Sequence, residues 1–216
     1  MLKIAYNDAY FLTLPDGHRF PMIKYELIPL QLQHEGLVEK NNFFSPNKIS
    51  QKWVETSHCE KYIDKLNNLQ LNKSEIRKTG FPLSKDLIER EYIITEGTRK
   101  CVDYAIKYGA SANIAGGTHH AFRDRGEGFC LFNDVAVGAH YALLKHQIQQ
   151  ILIIDLDVHQ GNGTASIMKD ERRVFTFSMH GKKNYPFKKE ISDLDIELED
   201  GIEDEKYTSV IRKKYP

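Results

Sequence analysis

Two acidic side chains and a histidine alternate along the segment IDLDVHQGNG. In an extended chain alternate side chains point to one side, which predicts that Asp155, Asp157 and His159 share a face. Leu156 and Val158 are then expected to point into the sheet. Carboxylate and imidazole together suit zinc or another borderline divalent cation. The alternative is a helix-capping Asp followed by solvated residues. The pattern favours the metal site, because two acids beside a buried apolar strand repel each other unless a cation or hydrogen-bond donors offset their charge.

A pair of adjacent histidines, His119 and His120, follows Gly116 and Gly117 in the segment AGGTHHAFRDRGEGFCLFND. Both imidazoles can face a cleft only if the backbone turns before them, and the glycines permit that turn. Imidazole titrates near neutral pH, so the pair is a candidate for general acid–base work. Histidine pairs are also common on surfaces, and it is the glycine-rich GEGF stretch beside Cys130 that favours a shaped site.

Strands that alternate with helices are predicted to position these residues. This alternation indicates an α/β domain with a mostly parallel sheet, and such sheets bind ligands at the carboxyl ends of their strands. Hydrophobic residues recur at helical spacing in the two longest helices, with Leu27 and Leu30 in phase in the first. Ser84 can cap the second, and Gly109 supplies a left-handed stop. Strands are predicted over 2–6, 112–115, 151–155, 174–178 and 193–199, helices over 22–39, 84–108, 133–146 and from about 204, and a strand end plus a short helix over 53–66.

The strand over residues 151–155, ILIID, contains only apolar residues before its final Asp. Such an unbroken apolar run is typical of a strand that is covered on both faces. The polar residues of the two motifs follow this strand and the strand over 112–115. We therefore expect them to meet at one edge of the sheet.

Composition narrows the function classes. Thirty basic and thirty acidic residues balance in a chain of 216, which argues against a dedicated nucleic-acid binder. A mean hydropathy of −0.50 and the lack of a long apolar run argue against a membrane-spanning helix. Three widely spaced cysteines without a C-x-x-C pair make a disulfide framework and a cysteine zinc site unexpected, and the expected location is the cytoplasm. The whole chain, 1–216, is interpreted as one domain.

The two motifs together resemble the histone deacetylase family, within the arginase/deacetylase fold. GGTHHAFRDRGEGFCLFNDVAVGA and ILIIDLDVHQGNG occur in the family's order, and weaker similarity extends back to HCEKYI and forward through FSMH and EDGIEDEKY. The HQGN and DRGEGFC segments are closest in pattern to class IV deacetylases and their bacterial relatives. The resemblance implies a three-layer domain with a mostly parallel central sheet flanked by helices, truncated at its carboxyl end relative to the family.

The resemblance implies roles for the polar residues. Asp157 and His159 correspond to two of the family's three zinc ligands. His119 and His120 correspond to the tandem histidines that activate the attacking water and protonate the leaving amine. Asp155 corresponds to the carboxylate that orients the first histidine.

Asp155 also belongs to a monovalent-cation site in the family, with K⁺ as the candidate ion. Ser178 and the Met179 carbonyl correspond to the rest of that site. His180 is expected to pack behind it. Asn162 stands where many members carry an Asp bonded to the second histidine, so the division of labour between the two histidines is expected to differ.

The acyl-lysine channel of the family is also represented. Gly128 and Phe129 correspond to one wall, and Tyr185 is placed opposite them. The substrate implied is an acyl-lysine of a protein or an acylated small amine. No direct contact with nucleic acid or membrane is expected.

The reaction implied is zinc-dependent removal of acetyl or other acyl groups from lysine side chains or small amines. The family's third zinc ligand, an Asp, and its transition-state tyrosine have no counterpart in this sequence, so residues 1–216 alone are expected to be inactive. One alternative is a non-catalytic, truncated remnant or binding module of the same fold. An arginase-like ureohydrolase is a weaker alternative, because Gly161 stands where those enzymes need another acid.

Overall fold

A three-stranded parallel sheet organises the amino-terminal half of the chain. The structure is a computed structural model that describes residues 1–214, with side chains through residue 213. Strand β1 (Lys3–Ala5) lies between β2 (Phe43–Phe44) and β3 (Ser111–Asn113). The helices of this half are α1 (Lys24–His34), α2 (Gln51–Val54), α3 (Glu60–Asn67), α4 (Lys73–Thr79) and α5 (Lys85–Tyr108).

A second parallel sheet, in the order β4-β5-β6, organises the carboxyl-terminal half. In the register of these strands Asp155, the last residue of β4, lies opposite Ser178 of β5, which lies opposite Asp195 of β6. Three polar residues are thereby aligned across the sheet. The elements of this half are α6 (Asp134–Lys145), β4 (Ile151–Asp155), α7 (Asn162–Met168), β5 (Val174–Gly181), β6 (Leu194–Leu198) and α8 (Asp204–Lys214).

The main core forms around α5, the longest helix. Its first turn is capped by Ser84, whose hydroxyl accepts a hydrogen bond from the Leu87 N–H at 3.1 Å, and Gly109 ends it with φ +92°. Leu87 and Ile94 point into a buried cluster that joins α3, α5 and the loop before α6. Other members of that cluster are Tyr10, Val54, Ile63, Leu66, Phe81, Tyr92, Leu131, Phe132 and Val137.

The predicted α/β class and parallel strand arrangement are confirmed, although the described strands form two three-stranded sheets rather than one. The helix predicted over 22–39 is shorter, and Leu27 and Leu30 lie exposed while Tyr25 and Pro29 are buried. The strand end predicted within 53–66 is wrong, since α2 and α3 occupy that region. A short helix buries only one narrow face, so the apolar spacing of α1 did not identify which side faces the core.

One face of β4 and β5 is open, which corrects the prediction that β4 is covered on both sides. Leu152, Ile154 and Phe175 are exposed by 48%, 51% and 44%. Leu156 and Val158 are exposed too and lie beyond the end of β4, so they do not point into the sheet as predicted. The apolar composition of a strand reports its tendency to be buried, whereas the elements that cover it come from elsewhere in the fold. None of the helices in residues 1–214 is both long enough and apolar enough to cross a membrane.

Candidate acid–base and metal site

The turn that precedes the two histidines is held by the carboxylate of Asp134, in the first turn of α6. This buried carboxylate accepts hydrogen bonds from the Gly117 N–H at 3.0 Å, the Thr118 N–H at 2.7 Å and the Thr118 hydroxyl at 2.6 Å. Gly117 has φ +88°, a conformation that side chains rarely adopt. The turn is therefore fixed to the amino end of α6, where a negative charge is favourable.

A second anchor lies behind the histidines. The Asn133 side-chain amide donates to the Ala121 carbonyl at 3.1 Å and to the Thr164 hydroxyl at 3.0 Å, while its oxygen caps α6. The Asn133 N–H donates to Nε2 of His58 at 2.9 Å, and Nδ1 of His58 lies 2.9 Å from the Phe122 carbonyl. His58 must therefore carry its proton on Nδ1. Burial lowers the pKa of His58 to about 3, so the ring is a neutral clamp across the loop.

Each of the tandem histidines uses Nδ1 to contact a different partner. Nδ1 of His119 lies 2.6 Å from Oδ2 of Asp155, and Nδ1 of His120 lies 2.7 Å from Oδ1 of Asn162. Both partner atoms are acceptors, so both rings donate from Nδ1. The ring centroids are 4.1 Å apart, and no residue in the described part of the chain hydrogen-bonds either Nε2. Two imidazoles thus present Nε2 atoms that are available for proton transfer.

The environments of these two rings shift their pKa values in opposite directions. Burial opposes a charge on His119, but the hydrogen bond and the negative charge of Asp155 outweigh it, and the pKa of His119 is raised. Burial, followed by the neighbouring His119, lowers the pKa of His120 to about 4. Titratable neighbours with divergent pKa values are the arrangement that acid–base catalysis requires.

Asp157 and His159 face each other immediately after β4. Oδ1 of Asp157 accepts the His159 N–H at 2.8 Å and lies 3.0 Å from Nδ1 of the same residue. At 3.0 Å these two side chains are hydrogen-bonded to each other. A carboxylate oxygen and an imidazole nitrogen are both donor types that zinc accepts, so the pair fits zinc in chemical type. Within residues 1–214, however, no cluster of three or more His, Cys, Asp and Glu side chains is arranged to hold a metal ion.

The carboxylate of Asp155 is already committed to holding the site together. Its Oδ1 accepts the Asp157 N–H at 3.0 Å and its Oδ2 is bonded to His119. A Cβ on Gly161 would lie 2.2 Å from Oδ2 of Asp155, so only glycine permits the loop to pass there. The absence of an acid at position 161, noted from the sequence, therefore also has a steric basis.

The residues predicted for a monovalent-cation site lie on adjacent strands, with Asp155 at the end of β4 and Ser178 and Met179 within β5. Ser178 is opposite Asp155 in the sheet, and its hydroxyl is 2.9 Å from Nδ1 of His180. Met179, the next residue of β5, is also buried. His180 is 1% exposed, burial lowers its pKa, and its Nε2 has no hydrogen-bond partner in the described chain. His180 is thus a buried residue of β5, and its role behind the cation site stays a prediction.

A cleft of about 740 Å³ opens over the histidines. His120 and His159 line its inner end, and the Tyr185 ring meets the His120 ring edge-on at 4.9 Å. The Tyr185 hydroxyl donates to Glu127 at 3.1 Å, and its pKa is raised to about 12 by burial and by Glu127. The complete lining is Arg19, Phe20, Pro21, Arg77, Lys78, His120, Glu127, Gly128, Phe129, His159, Tyr185 and Phe187.

The wall predicted at Gly128 and Phe129 adopts a conformation that is unusual for a side-chain-bearing residue. Gly128 has φ +53° and Phe129 has φ +65°. A Cβ on Gly128 would lie 2.7 Å from Cδ2 of His120, so the backbone approaches the imidazole closely. The structure thus brings together His119, His120, Asp155, Asp157, His159 and Asn162 at one edge, with Gly128, Phe129 and Tyr185 around the cleft above.

Sequence reasoning did not single out the residues that support this arrangement. His58, Asn133 and Asp134 make the hydrogen bonds that fix the histidine loop. The sequence indicated Asn133 only as the start of a helix. No pattern in a single sequence predicts that its side-chain amide also holds the histidine loop. Gly163 is another case, because a Cβ there would lie 2.3 Å from the Ala121 carbonyl.

The sequence model for the histone deacetylase domain matches residues 18–215. The chain belongs to the histone deacetylase family. An uncharacterized protein of Picosynechococcus sp. is 37% identical over 208 residues, which are 96% of this chain and 69% of the relative. Histone deacetylase 2 of Arabidopsis thaliana is 29% identical over 196 residues, covering 86% of this chain and 50% of the relative.

Solved structures of the family show the same fold. A histone deacetylase homologue from Aquifex aeolicus superimposes with a TM-score of 0.82 at 24% identity, over 99% of this chain and 63% of its own. A homologue complexed with SAHA gives a TM-score of 0.77 at 25% identity, over 92% of this chain and 59% of its own. The chain thus covers between 50% and 69% of the length of these four proteins.

Proposed function

We propose that this chain provides the acid–base residues and two zinc ligands of a deacylase that hydrolyses acyl-lysine or acylated small amines. One observation carries the proposal: two adjacent histidines with divergent pKa values lie beside a carboxylate–imidazole pair, and His120 and His159 of this group line one cleft. Amide hydrolysis needs a base for the attacking water and an acid for the leaving amine. Membership of the histone deacetylase family supports deacetylation as the reaction.

The histidines divide this work according to their partners. His120 is neutral at physiological pH and donates its Nδ1 proton to Asn162, so its Nε2 lone pair is free to accept a proton from water. His119 is held toward its protonated form by Asp155 and is the proton donor to the leaving amine. This assignment follows from Asn162, because an amide does not raise the basicity of His120 as a carboxylate would.

Asp157 and His159 would hold the zinc ion. Bound zinc supplies Lewis-acid chemistry, in which it polarises the amide carbonyl and lowers the pKa of water. Phe129 and Tyr185 would enclose the lysine methylenes and exclude water from the site. K⁺ at Asp155, Ser178 and the Met179 carbonyl would fix the carboxylate that orients His119.

The proposal requires polypeptide beyond this sequence. Zinc sites in enzymes use three protein ligands, and the described residues offer two. The same additional polypeptide would cover the open apolar face at Leu152, Ile154 and Phe175. The shortage of ligands is the observation that favours the alternative, a non-catalytic binding module of this fold.

The test compares this chain with a version extended through the downstream reading frame. We expect the extended protein to bind one zinc ion and to release acetate from acetyl-lysine peptides, and residues 1–216 to bind zinc weakly and turn over at least about 10²-fold more slowly. In the extended protein, Asp157→Ala or His159→Ala should remove zinc measured by elemental analysis. His120→Ala is the matched control, since it should keep the zinc while slowing turnover. An extended protein that retains zinc and hydrolyses no acyl-amine substrate would establish the binding-module alternative instead.

A further inference from the structure

The outer part of the cleft carries three cationic side chains: Arg19, Arg77 and Lys78. All three are exposed, and none forms an ion pair with any residue that the structure describes. The Arg19 guanidinium lies 4.9 Å above the Phe129 ring, so it is stacked on the channel wall itself. Lys78 lies near enough to Glu75 to help lower the pKa of that carboxyl, but Glu75 is itself paired with Lys65. The cations of the cleft lining therefore outnumber its acidic residues.

The single acidic residue in the cleft lining does not neutralise them. Glu127 accepts a hydrogen bond from Nε of Arg125 at 2.8 Å and another from the Tyr185 hydroxyl at 3.1 Å. Arg125 is held outside the lining, over the Phe122 ring at 3.6 Å. Arg125 also pairs with Asp124 at 3.0 Å, so its charge is shared between two carboxylates. Three cations against the single carboxylate of Glu127 nevertheless leave the cleft lining with a net positive charge.

Backbone hydrogen bonds hold the segment that carries two of the cations against the channel wall. The Gly128 N–H donates to the Lys78 carbonyl at 3.0 Å, and the Phe129 N–H donates to the Thr79 carbonyl at 2.8 Å. These bonds attach the end of α4, which carries Arg77 and Lys78, to the wall that would contact the acyl-lysine. Residues that flank that lysine would lie within the Debye length, about 8 Å at physiological salt, of these charges.

We propose that the substrate is an acyl-lysine within an acidic protein segment, with Asp or Glu at positions that flank the lysine. This inference rests on the proposed function and names its substrate class. Basic segments and acylated polyamines would bring like charges against Arg19, Arg77 and Lys78, which is unfavourable. Phe187, 90% exposed in the same cleft, supplies apolar surface for the flanking peptide. Each exposed ion pair changes affinity by a factor of about 1.4 to 5, so three together predict a preference of roughly tenfold or more.

The experiment measures binding by fluorescence anisotropy to labelled acetyl-lysine peptides of equal length with acidic, uncharged or basic flanks. Each peptide has an unacetylated twin. We expect the acidic acetylated peptide to bind about tenfold more tightly than the basic one, with the difference shrinking as salt is raised. The double variant Arg77→Glu/Lys78→Glu should reverse the preference. Lys73→Glu/Lys85→Glu, which changes the net charge equally outside the cleft lining, should not.

Three outcomes would overturn the inference: equal affinity for acidic and basic flanks, an acidic preference that is the same for unacetylated twins, or no acetyl-dependent binding. The same peptides assayed for acetate release separate the two proposals. Hydrolysis without a flank preference would overturn this inference and leave the proposed function intact. If binding depends on both the acetyl group and the flanking charges, but neither this chain nor the extended protein hydrolyses the peptides, the proposed function is overturned and this inference stands.

Discussion

His58 should make the folded protein less stable as the solution becomes mildly acidic. In the folded chain its Nδ1–H donates to the Phe122 carbonyl and its Nε2 accepts from the Asn133 N–H. Protonation of Nε2 would therefore break the hydrogen bond from Asn133. Burial lowers its pKa from 6.5 to about 3. The unfolded chain therefore binds a proton that the folded chain excludes, and stability falls with pH below the unfolded value of 6.5 and continues to fall until the folded value is reached.

The magnitude follows from the two pKa values. Between pH 7 and pH 5 the unfolded state gains about one proton at this residue, which costs the folded state about 2 kcal/mol. His58→Gln removes the titration. It also breaks at least one of the two buried hydrogen bonds, so the variant should be about 1–3 kcal/mol less stable than the parent at pH 7. The gap between the two proteins should therefore nearly close at pH 5.

Urea unfolding at pH 7, 6 and 5 measures both effects. The fluorescence of Trp53, the only tryptophan in the chain, reports on the fold, since its ring packs against Tyr141 at 4.7 Å. His34→Gln, at an exposed histidine in the last turn of α1, is the matched control and should keep the parental pH dependence. If His58→Gln loses as much stability as the parent between pH 7 and pH 5, the neutral clamp is not the source of the acid sensitivity. His58→Asn serves as the second variant if the Gln protein does not fold.

Further substitutions test the packing around the site. Gly161→Ala should destabilise the chain by more than about 2 kcal/mol in urea titrations, because the new Cβ would lie 2.2 Å from Oδ2 of Asp155. An unchanged unfolding midpoint would show that the loop accommodates the methyl group. Asp134→Asn removes the charge from the turn before His119 and replaces one acceptor oxygen with a donor. The free energy of unfolding should fall by about 1–3 kcal/mol in the same assay. An unchanged value would mean that the turn forms without the carboxylate. Phe175→Ala, on the open face of β5, should cost under about 1.5 kcal/mol, against about 3–5 kcal/mol for the fully buried Phe132→Ala; equal losses would contradict the exposed face.

The secondary structure followed from local patterns. The strands at 151–155 and 193–199 and the helix from 84 to 108 were predicted to within one residue at each end, because hydrophobic periodicity and capping are properties of neighbouring residues. The strand at 174–178 was predicted at its start but extends three residues further, to Gly181. The parallel arrangement followed from the alternation of strands and helices. The exposed side of α1 and the open face of β4 did not follow, because burial depends on which distant elements pack there.

The chemistry of the site was largely present in the sequence. The D-x-D-x-H motif (Asp155, Asp157 and His159) and the HH pair each follow a predicted strand. Ligand sites in parallel sheets lie at the carboxyl ends of the strands, so these residues were expected to meet there. Their shared-face geometry was wrong in one respect, since β4 ends at Asp155 and the next residues form a loop. The loop is stabilised by the Asp157 N–H on the Asp155 carboxylate, a bond that no periodicity predicts.

The sequence by itself determined which residue types were available: the acid–base histidines, two metal ligands and the strands that carry them. The family resemblance predicted that Asp155 pairs with His119 and that Asn162 faces His120, whereas only the tertiary structure decided the distances and the burial that make the two pKa values diverge. It also decided that Arg77 and Lys78, which precede His119 by about 40 residues in the sequence, stand at the cleft entrance. The physical reason is that pKa values and electrostatic fields depend on distance and burial in three dimensions, and a linear sequence specifies neither.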